Sequence, residues 1–105
     1  MEIATEKQAQ DIVMLDVRAV AGFADYFVIC SGTSERQINA ITDDIVEILD
    51  RDERTRPFQR EGEAASGWVL LDYGGVIVHV FAPPQREYYG LEELWSRAVP
   101  LVRIQ

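Results

Sequence analysis

The sequence predicts an α/β protein with a small mixed β-sheet and helices packed mainly on one face of that sheet. Two observations carry this prediction. Apolar, β-branched runs precede an amphipathic segment, and two further apolar runs flank a Gly-Gly pair. The chain has 105 residues, of which 48% are hydrophobic. That is enough apolar material for one core, so we expect a single domain spanning residues 1–105.

The N-terminal part of the chain predicts a short helix followed by two strands. Residues 1–10 are mostly good helix formers, which indicates a short helix at best. Residues 11–17 and 25–31 are mainly apolar and rich in β-branched side chains, a pattern typical of strands covered on both faces. Gly22 and Gly32 mark the breaks in this region.

The clearest helix signal comes next. Ser34 stands three positions before Gln37, the spacing of a capping box at a helix start. An apolar stripe at helical spacing follows, made of Ile38, Ile41, Ile45, Ile48 and Leu49. We expect this helix to face the sheet and to end near the charged residues 50–56, which predict a solvated helix end and turn. Pro57 stops the helix, and residues 58–60 predict a short edge strand.

A β-hairpin is predicted around Gly74-Gly75, a pair that can supply positive φ at both positions of a tight turn. In this register one face carries Val69, Leu71, Tyr73, Val76, Val78 and Val80. The opposite face carries Trp68, Leu70, Asp72, Ile77, His79 and Phe81. We expect the aliphatic face to pack under helices. The mixed face, with its aromatic, acidic and imidazole groups, predicts a surface that contacts something other than the protein's own core.

The C-terminal part predicts one more helix and a last strand. Pro83-Pro84 ends the hairpin, and residues 88–95 predict a short helix. One side of this helix is expected to carry Leu91, Leu94, Trp95 and Ala98. Pro100 closes the helix, and the remaining residues 101–105 predict an extended segment.

The composition excludes several function classes. A formal charge of −8 argues against a protein that coats nucleic acid, so we expect no direct sequence-specific nucleic acid binding and favour a basic partner. One cysteine and one histidine exclude a disulfide framework and a structural metal cage. No stretch approaches the roughly 18 apolar residues that span a bilayer, and the polar N-terminus lacks a signal-peptide pattern. A cytoplasmic protein without membrane contact is therefore expected.

Two residues invite a catalytic interpretation and are better explained otherwise. His79 lies in a strand with no serine or cysteine beside it, so a histidine satisfied by a neighbour is favoured over a catalytic one. Asp72 shares its face and could pair with it diagonally. Cys30 lies in an apolar strand, where a buried thiol behaves as a small hydrophobic side chain. We therefore assign no catalytic residue.

Two further patterns point to ligands, each with a plainer alternative. Asp16, Asp25 and Asp72 could gather as metal-binding carboxylates, but such acids more often end strands or cap turns. Residues 32–34, Gly-Thr-Ser, resemble a phosphate-binding turn before a helix, yet they lack the lysine and glycine spacing of a P-loop. Ser34 as a helix cap explains them better. We expect no metal and no cofactor.

Aromatic residues leave two interpretations open. Trp68 begins a strand, and Tyr88-Tyr89 start the last predicted helix. Such side chains are common anchors of protein interfaces, and they equally close the edge of a small core.

Four segments together resemble one family. They are DIVMLDVR, ADYFVICSGTSERQINAI, GWVLLDYGGVIVHVF and REYYGLEELW, within residues 11–95. In this order and spacing they are similar to the ribosomal silencing factor family, which includes the Iojap-related proteins. Two departures stand out. Gly75 occupies a turn position where the family usually has an acid, and the N-terminal helical region is shorter than usual.

The resemblance implies a non-enzymatic factor with a nucleotidyltransferase-like α/β fold. It implies a translational repressor that binds the large ribosomal subunit through the ribosomal protein called L-fourteen and sterically blocks joining with the small subunit. Organelle relatives imply a second role, large-subunit assembly, and the fold alone leaves a nucleotidyltransferase-like enzyme as a further alternative. The partner surface is expected to include Trp68, Leu70, Asp72, Tyr73, His79 and Phe81. A homodimer that buries the same patch is also expected.

Overall fold

The computed structural model describes residues 10–19, 22–90 and 99–104, and within them six strands form one mixed sheet. The strands are β1 (Gln10–Asp16), β2 (Tyr26–Ser31), β3 (Gln59–Glu63), β4 (Trp68–Asp72), β5 (Val76–Phe81) and β6 (Val99–Ile104). Their order is β3-β4-β5-β2-β1-β6. Among these six described strands, β2 and β5 are the one pair that runs parallel. The predicted α/β class and mixed sheet are confirmed.

The long helix α1 (Glu35–Glu53) begins at the predicted cap. The Ser34 hydroxyl accepts the Gln37 backbone N–H at 3.1 Å, and the Gln37 side chain accepts the Thr33 N–H at 2.6 Å. The reciprocal bond of the capping box is therefore shifted by one residue. The helix ends at Glu53, three residues after Asp50, the first of the charged residues near which its end is predicted. It stops there because Arg54 adopts the left-handed conformation and donates its N–H to the Leu49 carbonyl.

Helix α1 covers the aliphatic face of the sheet, as predicted. Ile38, Ile41 and Ile45 are buried against side chains of β2, β4 and β5, among them Val28, Cys30, Val69, Leu71, Val78 and Val80. Gly32 permits this close packing, since a Cβ there would lie 2.8 Å from Cγ1 of Ile38. The Gly-Thr-Ser turn is thus explained by helix capping and by helix-to-strand packing.

The opposite face of the sheet is also buried over its central strands. Its buried residues are Val13, Leu15, Val17, Ala24, Phe27, Ile29, Ile77 and Phe81. Trp68 and Leu70 are half-buried and pack against this cluster. The mixed hairpin face therefore forms a second buried core near the centre of the sheet. Its side chains become accessible towards β3.

The hairpin register is as predicted, with Leu71 opposite Val78 and Leu70 opposite His79. Its turn differs from the prediction. Gly74 has a positive φ of 87°, whereas Gly75 does not, so one position of the turn and not two needs the left-handed region. The Gly75 carbonyl instead accepts N–H bonds from Asp25 at 2.8 Å and from Tyr26 at 3.0 Å. The turn is thereby tied to the start of β2.

Edge strand β3 is longer than predicted and continues to Glu63. Gly62 has a φ of 81°, and a Cβ at this position would clash with the Trp68 carbonyl oxygen. Glycine therefore lets the edge strand approach β4 and continue past residue 60.

The second helix also differs from its prediction. Helix α2 (Pro83–Tyr89) begins at the prolines that were expected only to end the hairpin, and it ends at Gly90 with a φ of 56°. Proline is favourable in the first turn because the N–H that it lacks has no partner within the helix. The predicted stripe from Leu91 to Ala98 and the predicted helix in residues 1–10 lie almost entirely outside the described residues. Strand β6 confirms the last extended segment.

Candidate functional site

The structure brings five of the six predicted contact residues to one face of the sheet: Trp68, Leu70, Asp72, His79 and Phe81. Tyr73 lies on the other face, packed against the cluster under α1. Its hydroxyl is buried without a hydrogen-bond partner among the described residues, and burial raises the pKa of the phenol. Tyr73 is thus separated from the predicted surface by the sheet itself.

His79 and Phe81 lie beneath the surface. They are 4% and 0% exposed, because neighbouring strands and aromatic rings cover them. The expectation that these two side chains touch a partner directly is corrected on that ground. Trp68, Leu70 and Asp72 are half-buried and remain accessible, so their role as contacts stays a prediction.

Five rings form an aromatic cluster on this face: Phe27, Trp68, His79, Phe81 and Tyr89. The Trp68 ring stacks on Phe81 with centroids 4.9 Å apart, and Tyr89 of α2 lies 4.5 Å from it on the accessible side. Phe27 contacts His79 edge-to-face at 4.9 Å. Such pairs add to the energy of area burial and fix ring orientation. The ring centroids of Phe81 and Tyr89 lie 6.4 Å apart, so Trp68 contacts a buried ring and an exposed ring that are also close to each other.

A hydrogen bond joins the surface to the buried layer. Trp68 donates its indole N–H to Nδ1 of His79 at 3.2 Å. Because Nδ1 accepts, the neutral imidazole carries its proton on Nε2, which is buried with no hydrogen-bond partner among the described residues. Burial lowers the pKa of His79 from 6.5 to about 4. His79 is thus a neutral acceptor at physiological pH, with the indole of Trp68 as its partner.

Asp72 does not pair with His79. Its Oδ1 accepts the Gly74 N–H at 2.8 Å, so the carboxylate caps the hairpin turn. This is the plainer alternative that the sequence offered for the aspartates.

The remaining candidate groups have structural explanations as well. Cys30 is fully buried, and desolvation raises its pKa to about 11, which keeps it a thiol. Arg18 pairs with Asp16 at 2.6 Å, and its hydrogen bonds lower the pKa of that exposed carboxyl. Within residues 10–19, 22–90 and 99–104, no group of three or more potential metal ligands comes together.

The accessible end of this face is an edge groove of about 240 Å³, lined by Glu61, Gly62, Ser66, Trp68, Leu70 and Tyr89. Strand pairing sets Glu61 opposite Leu70 and Glu63 opposite Trp68, so both glutamates share the face of the groove. The two glutamates lie beyond the edge strand that the sequence predicts, which ends at residue 60. The available signal was the alternation Glu-Gly-Glu at residues 61–63, which four residues separate from the strand that begins at Trp68.

In the parts of the chain that the structure describes, no helix is long and apolar enough to cross a membrane.

Comparisons with known proteins agree with this fold. A ribosomal silencing factor from Bacillus subtilis is 42% identical over 93 residues, covering 89% of this chain and 78% of that protein. A mouse protein named for mitochondrial assembly of the ribosomal large subunit is 34% identical over 98 residues, covering 91% of this chain and 43% of its own length. A crystal structure from Chromobacterium violaceum superposes with a TM-score of 0.84 at 30% identity, covering 90% of this chain and 78% of that one. The sequence profile described as "Ribosomal silencing factor during starvation" matches residues 1–105, and the chain belongs to this ribosomal silencing factor family.

Proposed function

We propose that this protein is a non-enzymatic translational repressor that binds the large ribosomal subunit through L-fourteen and sterically blocks joining with the small subunit. The names of its relatives support a role at the large subunit, in silencing or in assembly. The observation that carries the proposal is the edge groove, where accessible aromatic side chains stand beside carboxylates on a chain of net charge −8.

The groove has the composition of a protein-binding surface. Trp68, Leu70 and Tyr89 offer apolar area that a partner can desolvate, and such aromatic groups are frequent hot spots. Glu61 and Glu63 project from the exposed strand beside them and favour a basic partner. The surrounding negative charge speeds the encounter with a basic ribosomal protein.

Steric blocking needs no chemistry from the bound factor. It needs a rigid body that occupies the subunit face, and a mixed sheet buried on both sides provides one. The groups that could react are engaged structurally: Cys30 is buried, His79 accepts the Trp68 indole, and Asp72 caps a turn. The proposed activity therefore depends on contact area at the groove.

Replacing Trp68 with Ala should weaken binding to the large subunit by about 2 kcal/mol, because an anchor at the centre of an interface is lost. Sedimentation of purified subunits in a gradient with added protein measures both binding and subunit joining. Phe58→Ala is a matched control, since Phe58 is 78% exposed and lies at the hairpin end of β3, outside the groove. If excess wild-type protein leaves joining unchanged, the proposal fails. If Phe58→Ala weakens binding as much as Trp68→Ala, the groove is not the docking surface.

A second candidate function is large-subunit assembly, which the name of the mouse relative favours. It would use the same groove and bind earlier, while the subunit matures. Profiling large-subunit precursors in a deletion strain separates the two functions. Precursors that accumulate support assembly, and a normal precursor profile leaves repression alone.

A further inference from the structure

The edge groove combines aromatic walls with one carboxylate. The rings of Trp68 and Tyr89 and the side chain of Leu70 form the walls, and Glu61 contributes the charge. Glu61 makes no ion pair with any residue that the structure describes. Among residues 10–19, 22–90 and 99–104, no lysine or arginine lines the groove.

Two hydrogen-bond donors in the groove lining are already in use. The indole N–H of Trp68 is donated inward to His79, and the Ser66 hydroxyl is donated to the Glu63 carbonyl at 2.8 Å. An anionic group such as a phosphate needs donors or positive charge for recognition. The Tyr89 hydroxyl is a further neutral donor, but no positive charge of the described residues lines the groove, and a carboxylate lies in it, so an anion is disfavoured here.

A cation is favoured by the same features. The face of an indole or phenol ring attracts a cationic head group, and Trp attracts it most strongly. The methylene stem of a long basic side chain can lie along Leu70 while its head meets Glu61. His79 keeps the Trp68 ring in place for this contact through the 3.2 Å hydrogen bond.

Resting on the proposed function, we propose that the edge groove receives one cationic side chain of a basic ribosomal protein and thereby distinguishes protein from RNA phosphate on the subunit surface. Arginine fits better than lysine, since its planar guanidinium can stack on a ring and also bind a carboxylate with two N–H groups. His79 is a positioning residue for this subsite, and Glu61 and Trp68 make the contact.

The test compares Glu61→Gln with Glu63→Gln. Both glutamates lie in exposed strand β3 and on the same face, but only Glu61 lines the groove. With purified large subunits as the probe, Glu61→Gln should weaken affinity by about fivefold to tenfold, as for a partly desolvated charge pair. Glu63→Gln should change it by less than about twofold, as for a rim charge. Equal effects of the two variants would overturn the inference and indicate that binding depends on the overall negative charge of this surface and not on Glu61 in particular.

A second arm works without ribosomes. NMR titration of the free protein uses an acetylated Gly-Arg-Gly amide and its citrulline counterpart, which has nearly the same shape and no charge. The arginine peptide should shift the Trp68 indole N–H resonance, which the spectrum of Trp68→Phe assigns. The shift should be at least threefold smaller when the citrulline peptide replaces the arginine peptide, and also when the arginine peptide is added to the Glu61→Gln variant. The Glu63→Gln variant should show the full shift, because the shift depends on charge at the groove.

The outcomes of this arm separate the inference from the proposed function. If neither peptide shifts the indole resonance, or if citrulline shifts it equally, the inference is wrong even where large subunits bind. If a short RNA oligonucleotide shifts it more strongly than the arginine peptide, the groove accepts phosphate and the inference is also wrong. If the arginine peptide binds as expected and the wild-type protein does not bind large subunits, the groove recognises a cationic side chain, but the ribosomal source of that side chain and the proposed function are both wrong.

Discussion

The two faces of the sheet are buried in different ways. Under α1 the contacts are aliphatic, and isoleucines of the helix pack directly on valines and leucines of the strands. On the opposite face an aromatic cluster joins the aliphatic side chains of β1 and β2, and burial decreases towards β3. Phe81 is fully buried, Trp68 is half-buried and Glu61 is exposed.

This difference separates stability from recognition. The aliphatic face is stabilised by the burial of apolar area, which depends on no change of protonation near neutral pH. The aromatic face contains a neutral imidazole bonded to an indole, so its packing depends on a protonation state. Its outer end leaves rings and carboxylates accessible. We expect mutations under α1 to change stability and mutations towards β3 to change binding.

The largest expected effect lies on the aliphatic face. Ile41→Ala should lower the free energy of unfolding by about 3 kcal/mol, since Ile41 is completely buried and its removal leaves a cavity. Urea denaturation measures the loss. Glu47→Ala, at an exposed position of the same helix, should change stability by less than about 0.5 kcal/mol. A loss below 1 kcal/mol for Ile41→Ala would contradict the tight packing of this face.

The next effect lies inside the aromatic face and depends on pH. His79 has a pKa of about 4 when folded and near 6.5 when exposed in the unfolded chain. Between these values the unfolded chain binds a proton that the folded protein excludes, so stability is lost as pH falls from 6.5 towards 4. The loss should be on the order of 3 kcal/mol by linkage.

Urea denaturation at several pH values measures this loss as the difference between wild type and His79→Asn. Asparagine can keep an acceptor for Trp68 and does not titrate, and the carboxylates common to both proteins cancel. Parallel pH profiles for the two proteins would contradict the neutral, buried imidazole.

The smallest effect concerns self-association at the outer end of the aromatic face. In a two-fold dimer the groove of one protomer would be buried against the same groove of the other. The net charge of −8 on each protomer opposes the approach of the two. Low salt should therefore favour monomer and higher salt dimer, with a shift of less than about 1 kcal/mol. Light scattering across salt and protein concentration measures it. A strict monomer in every salt excludes the dimer, and a dimer that survives Trp68→Asp has its interface elsewhere.

The sequence was sufficient where periodicity determines packing. The spacing of Ile38, Ile41 and Ile45 predicted both the helix and the face it covers, and the Gly-Gly turn predicted the hairpin register. The sequence was insufficient to predict which side chains are buried where their cover comes from residues distant in the chain. His79 and Phe81 looked like surface groups because alternation identifies a face without showing what covers it. Phe27, on a strand paired in parallel with β5, provides part of that cover.

Local sequence patterns also predicted the wrong bounds for edge strand β3 and for helix α2. Strand β3 continues past Arg60 because Gly62 adopts a positive φ close to the Trp68 carbonyl. The sequence of residues 58–63 alone does not show that this carbonyl lies beside Gly62. The start of α2 was missed because Pro83-Pro84 is compatible with both the end of a strand and the first turn of a helix.

The parallel pairing of β2 with β5 has a consequence for how the chain folds during synthesis. The two strands are separated by α1, β3 and β4, so the centre of the sheet closes only after Phe81 has been made. The pairing of β1 with β6 on its other edge requires residues as far along the chain as Ile104. Closing such long loops costs entropy before any contact repays it, which makes folding slow for a chain of this size. We expect the local pairs β1–β2 and β4–β5 to form first, and the edge of β1 that faces β6 to stay unpaired until β6 has been made.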